Sequence, residues 1–337
     1  QTTYYILFST FLFGLKKNKN NITEVPVSVI IYTKNQAKII QQFLPSILEQ
    51  KHSKFEIVLI NNASSDNTKD VVELFTKKHA NLKILNVENN EAFWGSKKYA
   101  LTLGIKASKY NNLLFTDAKC KPVSKYWISE MSKKFTSKKT IILGYKKYQK
   151  KNSILNIFTR FENLLTAIKC FGFTKLGSSY MAFGSNLAYQ KSEFFKVNGF
   201  INHMKINTGE DYLFIKDAAN NKNTTFCISE DSFIETDTPK SFSKWFTEKK
   251  EELTTIEDIS VCLFCNIKND SLENNIFHML EVHKLEIPIR QAVKNSKGFL
   301  KFSKNTKNGF TGRQNAPIVF QLNRYFAIRL HKSARKI

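Results

Sequence analysis

The sequence predicts an α/β fold, a doubly wound and mostly parallel sheet, on three observations. Apolar, β-branched runs such as 27–32 stop abruptly at polar residues, as buried strands do. Segments with apolar residues three and four apart follow them, as amphipathic helices do. Strand and helix then alternate, which calls for crossover connections between parallel neighbours.

Taken in order, the first strand covers 27–32 and ends at Thr33-Lys34-Asn35. Ile39, Ile40, Phe43, Leu44, Ile47 and Leu48 mark the first helix. Residues 55–60 form a second strand, 61–68 a turn and 71–78 a second helix; 82–87 is a third strand, 96–108 a third helix, and 112–116 a fourth strand that stops on Asp117. In such sheets ligands sit beyond the carboxyl ends of the strands, so 33–35, 61–66 and 117–119 share one rim. Ile154, Leu155, Phe158, Phe161, Leu164, Leu165 and Ile168 predict a helix over 153–170 that covers part of that rim. Residues 184–189 and 225–229 are predicted strands, and Gly209-Glu210-Asp211 opens a helix between them. The rhythm ends after Thr255.

The 337 residues carry 52 Lys and Arg against 28 Asp and Glu, a net charge of +24, which favours an anionic partner such as a nucleotide diphosphate, acidic lipid or nucleic acid. Of the five cysteines, Cys120, Cys170 and Cys227 stand alone while Cys262 and Cys265 form a C-x-x-C pair. So sparse and odd a set argues against a secreted disulfide scaffold. Tyr4 to Leu15 is a mostly apolar run closed by Lys16, Lys17 and Lys19. It is shorter than the roughly 20 residues that cross a bilayer, so it is either a buried or interfacial helix or the end of a truncated spanning one. If it spans, the lysines place everything after it in the cytoplasm.

Carboxylates at successive strand ends suit a nucleotide sugar, whose base and ribose need acceptors, whose diphosphate needs neutralising and whose acceptor hydroxyl needs a base. Asp66 and Asp117 are so placed. The order of motifs is more specific: V-S-V-I-I-Y-T-K-N at 27–35, I-N-N-A-S-S-D-N-T at 60–68, F-W-G-S-K-K-Y-A-L-T-L-G-I-K-A at 93–107, L-L-F-T-D-A-K-C-K-P at 113–122, N-L-A-Y-Q-K-S at 186–192 and G-E-D-Y-L-F at 209–214. Together they resemble the family 2 inverting glycosyltransferases with the GT-A fold, especially membrane-bound members, from Val27 to about Thr255.

That resemblance implies an enzyme of hexosyltransferase type. It places Thr33, Asn35, Asn62 and Asp66 near the base and ribose of a UDP- or GDP-type donor, and Lys97 or Lys98 near the phosphates. Asp117 opens the D-x-D element, a candidate Mg²⁺ or Mn²⁺ ligand, and Asp211, paired with Glu210, becomes the base that deprotonates a glycan or lipid acceptor. Two positions depart from the pattern. The D-x-D element reads Asp117-Ala118-Lys119, and lysine cannot ligate a hard cation, so Lys119 either meets the diphosphate itself or marks a site that has lost its metal and activity. After Trp245, where the family has a Gln-x-x-Arg-Trp-like element, the chain reads Thr247-Glu248-Lys249-Lys250-Glu251-Glu252. Ser185 also stands where many members carry Arg.

Cys262, Cys265, His278 and His283 have the spacing of a Cys₂His₂ zinc site. Asp270 and Glu273 suit a helix start, and Leu272, Ile276 and Leu280 share one face. Residues 261–300 resemble zinc fingers of eukaryotic large-ribosomal-subunit maturation factors, and Asn269 replaces the aromatic of DNA-reading fingers, so RNA or ribosome contact is the implied role. From Ile287 to Ile337 there are twelve Lys or Arg and no Asp or Glu, a tail that either contacts phosphates or is simply solvated. The predicted organisation is a membrane-associated segment at 1–20, a glycosyltransferase domain at 25–255, a zinc-finger-like module at 258–300 and a basic tail at 301–337. Two functions follow: a membrane-associated transferase facing the cytoplasm, or a zinc-dependent RNA- or ribosome-binding protein carrying an inactive transferase-like domain.

Overall fold

The computed structural model describes residues 24–88, 97–204, 206 and 208–257, with side chains as far as residue 249. The chain divides into units 1–259 and 260–337, and every described residue lies in the first. The predicted membrane-associated segment, zinc module and basic tail lie outside the described residues.

The first half is built as the sequence predicts. Strand β1 (Val27–Thr33) is followed by helix α1 (Ala37–Leu48), β2 (Phe55–Asn62), α2 (Thr68–Thr76), β3 (Leu82–Val87), α3 (Lys97–Ala107) and β4 (Asn112–Asp117). All pairings among these strands are parallel, β1 lying between β2 and β4 and β2 pairing with β3. Because both sheet faces are covered, β1 and β2 are nearly continuous apolar runs. Helix α1 packs on one face through Ala37, Ile40, Leu44 and Ile47, and α3 on the other through Ala100, Leu101 and Ile105.

Beyond β4 come β5 (Lys121–Pro122), α4 (Trp127–Ser132), β6 (Ile141–Leu143), β7 (Lys146–Tyr148), α5 (Ile154–Lys175), β8 (Leu187–Gln190), α6 (Lys191–Lys196), α7 (Glu210–Ala218), β9 (Thr224–Phe226), β10 (Ile234–Thr236) and α8 (Phe242–Glu257). The main sheet runs β3-β2-β1-β4-β8-β6-β9, and β8 pairs antiparallel with both β4 and β6. A smaller sheet, β5-β10-β7, stands beside it.

Two expectations change. Residues 184–186 form a 3₁₀ turn and the strand begins only at Leu187. Helix α5 forms, but its inward face holds Asn156, Thr159, Asn163, Ala167, Cys170 and Thr174, while Ile154, Ile157, Phe161, Leu164 and Leu165 are exposed. Asn163 borders the cleft described below, Asn156 bonds the Gln149 carbonyl, and Ala167, Cys170 and Phe171 join the core. Among the described residues no helix is long and apolar enough to cross a membrane.

Candidate functional site

The carboxyl ends of β1, β2 and β4 form one rim. At the β1 and β2 end, Asn35 and Ala63 take left-handed backbone angles, φ 53° and 47°, uncommon outside glycine. Asn35 latches the two loops: its N–H donates to Ser64 Oγ (2.9 Å) and its Oδ1 accepts from Ser65 N–H (2.7 Å). Asp66 accepts from Ala37 N–H (3.2 Å), at the start of α1, and from Thr68 N–H (3.1 Å) and Oγ1 (2.5 Å), at the start of α2. Although desolvation opposes it, these bonds lower the Asp66 pKa. Thr33 is buried, and its Oγ1 has no hydrogen-bond partner among the described residues.

At the other end lies a cavity of about 280 Å³ walled by β4, β7, α5, the 184–186 turn, α7 and α8. Its charged lining is Lys97, Lys119, Lys146 and Lys249 against Asp117, Glu210, Asp211 and Glu248. Lys97 opens α3 and stands between carboxylates on two other elements, with Nζ 2.5 Å from Glu210 Oε1 and 3.7 Å from Asp117 Oδ1. The same ammonium lies 5.3 Å from the ring centre of Tyr32, whose hydroxyl accepts from Asn62 Nδ2 (3.1 Å). Burial would lower the Lys97 pKa, but Asp117 and Glu210 outweigh it and raise it, so the lysine is a fixed cation. Burial likewise works against Asp117 ionising, and Lys97, Lys119 and Lys146 overcome it, lowering the Asp117 pKa.

Asp211 is held differently. Its Oδ2 accepts from Gly184 N–H (2.8 Å) and its Oδ1 from Tyr212 N–H (3.0 Å). Burial, and next the charge of Glu210, push its pKa up to about 6, against the pull of Lys97. A carboxylate so poised is a competent proton acceptor near neutral pH. Gly184 has to be glycine, because a Cβ there would meet Asp211 Oδ2 at 2.6 Å. The sequence carries that signal, since a glycine in a strand-like run marks close backbone approach.

Lys97 and Lys98, left open by the sequence, separate here. Lys98 is buried and its Nζ donates to the carbonyls of Ile206 (2.5 Å) and Thr208 (3.1 Å), bracing the loop before α7. Asn186, in the N-L-A-Y motif, is a structural hub: Nδ2 donates to the carbonyls of Tyr145 (2.9 Å) and Ser232 (2.9 Å), and Oδ1 accepts from Trp127 Nε1 (3.0 Å). Lys146 and Asn163 in the cavity wall were not singled out by the sequence. Lys146 sits in an unremarkable lysine-rich stretch, and Asn163 on a helix whose apolar face drew attention.

A divalent cation does not fit this set as it stands. The space between Asp117 and Glu210 is filled by the Lys97 ammonium, and Lys119 takes the last place of the D-x-D element. Among the described residues no three His, Cys, Asp or Glu side chains are grouped to hold a metal. The carboxylate of Asp117, the candidate Mg²⁺ or Mn²⁺ ligand, is engaged here by the Lys97 ammonium.

The profile of Glycosyl transferase family 2 matches residues 28–207, more than half of the chain. The chain belongs to that family. Relatives include the probable glycosyltransferase YdaM of Bacillus subtilis, 28% identical over 57% of this chain and 47% of its own length. Another is a poly-beta-1,6-N-acetyl-D-glucosamine synthase of Staphylococcus epidermidis, 30% identical over 34% of this chain and 29% of its own length. The chain thus spans less than half the length of either. A mannosyltransferase of Pyrobaculum calidifontis, solved with GDP-Man and Mn²⁺, superposes with a TM-score of 0.59 at 16% identity, covering 99% of this chain and 89% of its own, a likeness of fold. The fold is GT-A, as the family resemblance implied. Separately, residues 260–309 match the profile of the C2H2 type zinc-finger.

Proposed function

We propose that residues 25–255 transfer a sugar from a UDP- or GDP-type nucleotide sugar to a glycan or lipid acceptor with inversion, Asp211 serving as the base. The observation that carries this reading is the carboxylate of Asp211, half-buried in the cavity wall and aimed by two backbone N–H groups. In the reaction the acceptor hydroxyl gives its proton to Asp211 as its oxygen bonds the anomeric carbon. The bond from that carbon to the diphosphate breaks on the opposite side, and the nucleoside diphosphate leaves with the electron pair. Lys97, Lys119 and Lys146 supply the positive charge that the leaving group needs, in place of a divalent cation. Thr33, Asn35, Asn62 and Asp66 form the base and ribose end of the rim, and Glu210 holds Lys97 and tunes Asp211.

The relatives support a sugar-nucleotide donor: those named above are a glycosyltransferase, a polysaccharide synthase and a mannosyltransferase solved with GDP-Man. The test is transfer or hydrolysis across a panel of nucleotide sugars, comparing the native chain with Asp211→Asn and Lys119→Asp. Turnover lost in Asp211→Asn supports the reading. Turnover gained only in Lys119→Asp with Mn²⁺ makes the native site a degenerate one and overturns it.

A second role rests on the zinc-finger match. We propose that Cys262, Cys265, His278 and His283 bind Zn²⁺ and that this module, with the basic tail, contacts RNA or the ribosome. RNA affinity that is steeply salt-dependent and lost on zinc removal supports this; affinity unchanged by zinc removal defeats it. The domain assignment, and a membrane-associated placement with the catalytic domain in the cytoplasm, belong to the transferase proposal.

A further inference from the structure

The first half of helix α5 turns its large apolar side chains outward. The inward face of the helix is polar over the first turns, where Asn156 Nδ2 donates to the Gln149 carbonyl (2.7 Å) and Asn163 Nδ2 to the Lys146 carbonyl (2.8 Å) and the Tyr145 hydroxyl (3.1 Å), and apolar beyond, where Ala167, Cys170 and Phe171 join the core. Its outward face carries Ile154, Ile157, Phe161, Leu164 and Leu165, which are 41–80% exposed. At 100° per residue these fall within one stripe running along the helix. The stripe runs from residue 154 to 165, about 18 Å of helix, and is contiguous where the apolar residues normal on a soluble surface are scattered.

Charge tells what covers it. Glu162 is the sole acidic residue of α5 and is taken by Lys249 (2.8 Å), whereas Arg160, Lys169 and Lys175 are basic; of the two lysines that precede the helix, Lys151 is paired with Asp237 (2.6 Å) and Lys150 adds to the basic margin. An apolar stripe with basic margins matches an anionic lipid surface, where the side chains enter the acyl boundary and the cations meet headgroup phosphates. A second copy docked face to face would set the basic margins against each other. Helix α8 packs beside α5, Trp245 against Phe158 with ring centres 5.2 Å apart, and also exposes Phe242 and Phe246.

We infer that α5 lies flat on an anionic bilayer, its outer face in the lipid and its inner face walling the cleft through Asn163 and Thr166. The inference concerns a surface and does not depend on the transferase reading, so its test reads binding and not turnover. The full chain is floated with vesicles of phosphatidylcholine alone and of phosphatidylcholine with one third phosphatidylglycerol, beside the triple variant Ile157→Ser, Phe161→Ser, Leu164→Ser and the variant Leu7→Ser, Phe8→Ser. The native chain is expected to partition onto the anionic vesicles and the triple variant to lose that partition by about tenfold or more, with an unchanged thermal transition. Equal partition of native chain and triple variant, or no partition of the native chain, overturns the inference. So does loss only in the Leu7→Ser, Phe8→Ser variant, which makes the 4–15 run the membrane element. A native dimer that the triple variant dissociates, without lipid affinity, makes a second copy the occupant and overturns it too.

Discussion

Asp66 and Asp211 sit at opposite ends of one rim and are used in opposite ways. Asp66 spends its oxygens on N–H groups at two helix starts, which lowers its pKa and ties β1 and β2 together. Asp211 also accepts two backbone N–H bonds, yet burial and Glu210 outweigh them and its pKa rises to about 6. The two carboxylates therefore differ in basicity because Asp66 has a third bond, from the Thr68 hydroxyl, while Asp211 has deeper burial and the like charge of Glu210. One holds the loops in place, and the other is left with proton affinity to use.

That contrast can be broken by substitution. The largest expected effect is Asp211→Asn, which should cut the transfer rate by about 10²–10⁴-fold while nucleoside diphosphate affinity, measured by calorimetry, stays within a few-fold. Equal loss of rate and affinity would place Asp211 among the donor ligands instead. Next is Lys97→Met, which removes the cation between Asp117 and Glu210. Diphosphate affinity should fall by about tenfold or more, while chelation of divalent cations leaves the native rate unchanged.

The pH profile sharpens the comparison further. The base must be ionised, so kcat/KM should rise about tenfold per pH unit below 6 and level off above it. Stability runs the other way. The Asp211 pKa is raised above its unfolded value of 3.8, so the folded state holds the proton longer and stability from this group declines as pH rises from about 4 to about 6. The smallest effect is Asp66→Ala, expected to cost about 0.5–2 kcal/mol in denaturant unfolding through the lost caps. A rate loss from Asp66→Ala beyond the fraction unfolded would move Asp66 into the donor site.

How much of this was legible depends on what each residue answers to. Strands β1, β2 and β3 were readable because burial on both sides leaves β-branched runs with no competing pattern. Strands β6, β7 and β10 are three residues each, too short to show a period, and they are fixed by partners far away in sequence. In α5 the period was visible but the direction was not, since apolar residues three and four apart announce a helix without saying which face is inside. Lys97 and Lys98 are adjacent, and only the roughly 100° between neighbours on α3 sends one ammonium to the carboxylates and the other to backbone carbonyls. The order Asp66, Asp117, Glu210, Asp211 was readable as a family pattern, whereas the Lys97 bridge depends on three elements meeting.

Strand β8 has a consequence for how the chain folds. It is antiparallel and sits between β4 and β6, in the middle of the sheet. The parallel half, β1 to β4, comes from residues 27–117 alone, so during synthesis it can assemble while the outer edge of β4 has no partner. That edge bears Leu113, Leu114 and Phe115, and it stays open until Leu187 to Gln190 emerge and pair with it. A chain cut short before Leu187 keeps an apolar strand with unmet hydrogen bonds at its margin, the condition under which sheets join edge to edge and aggregate.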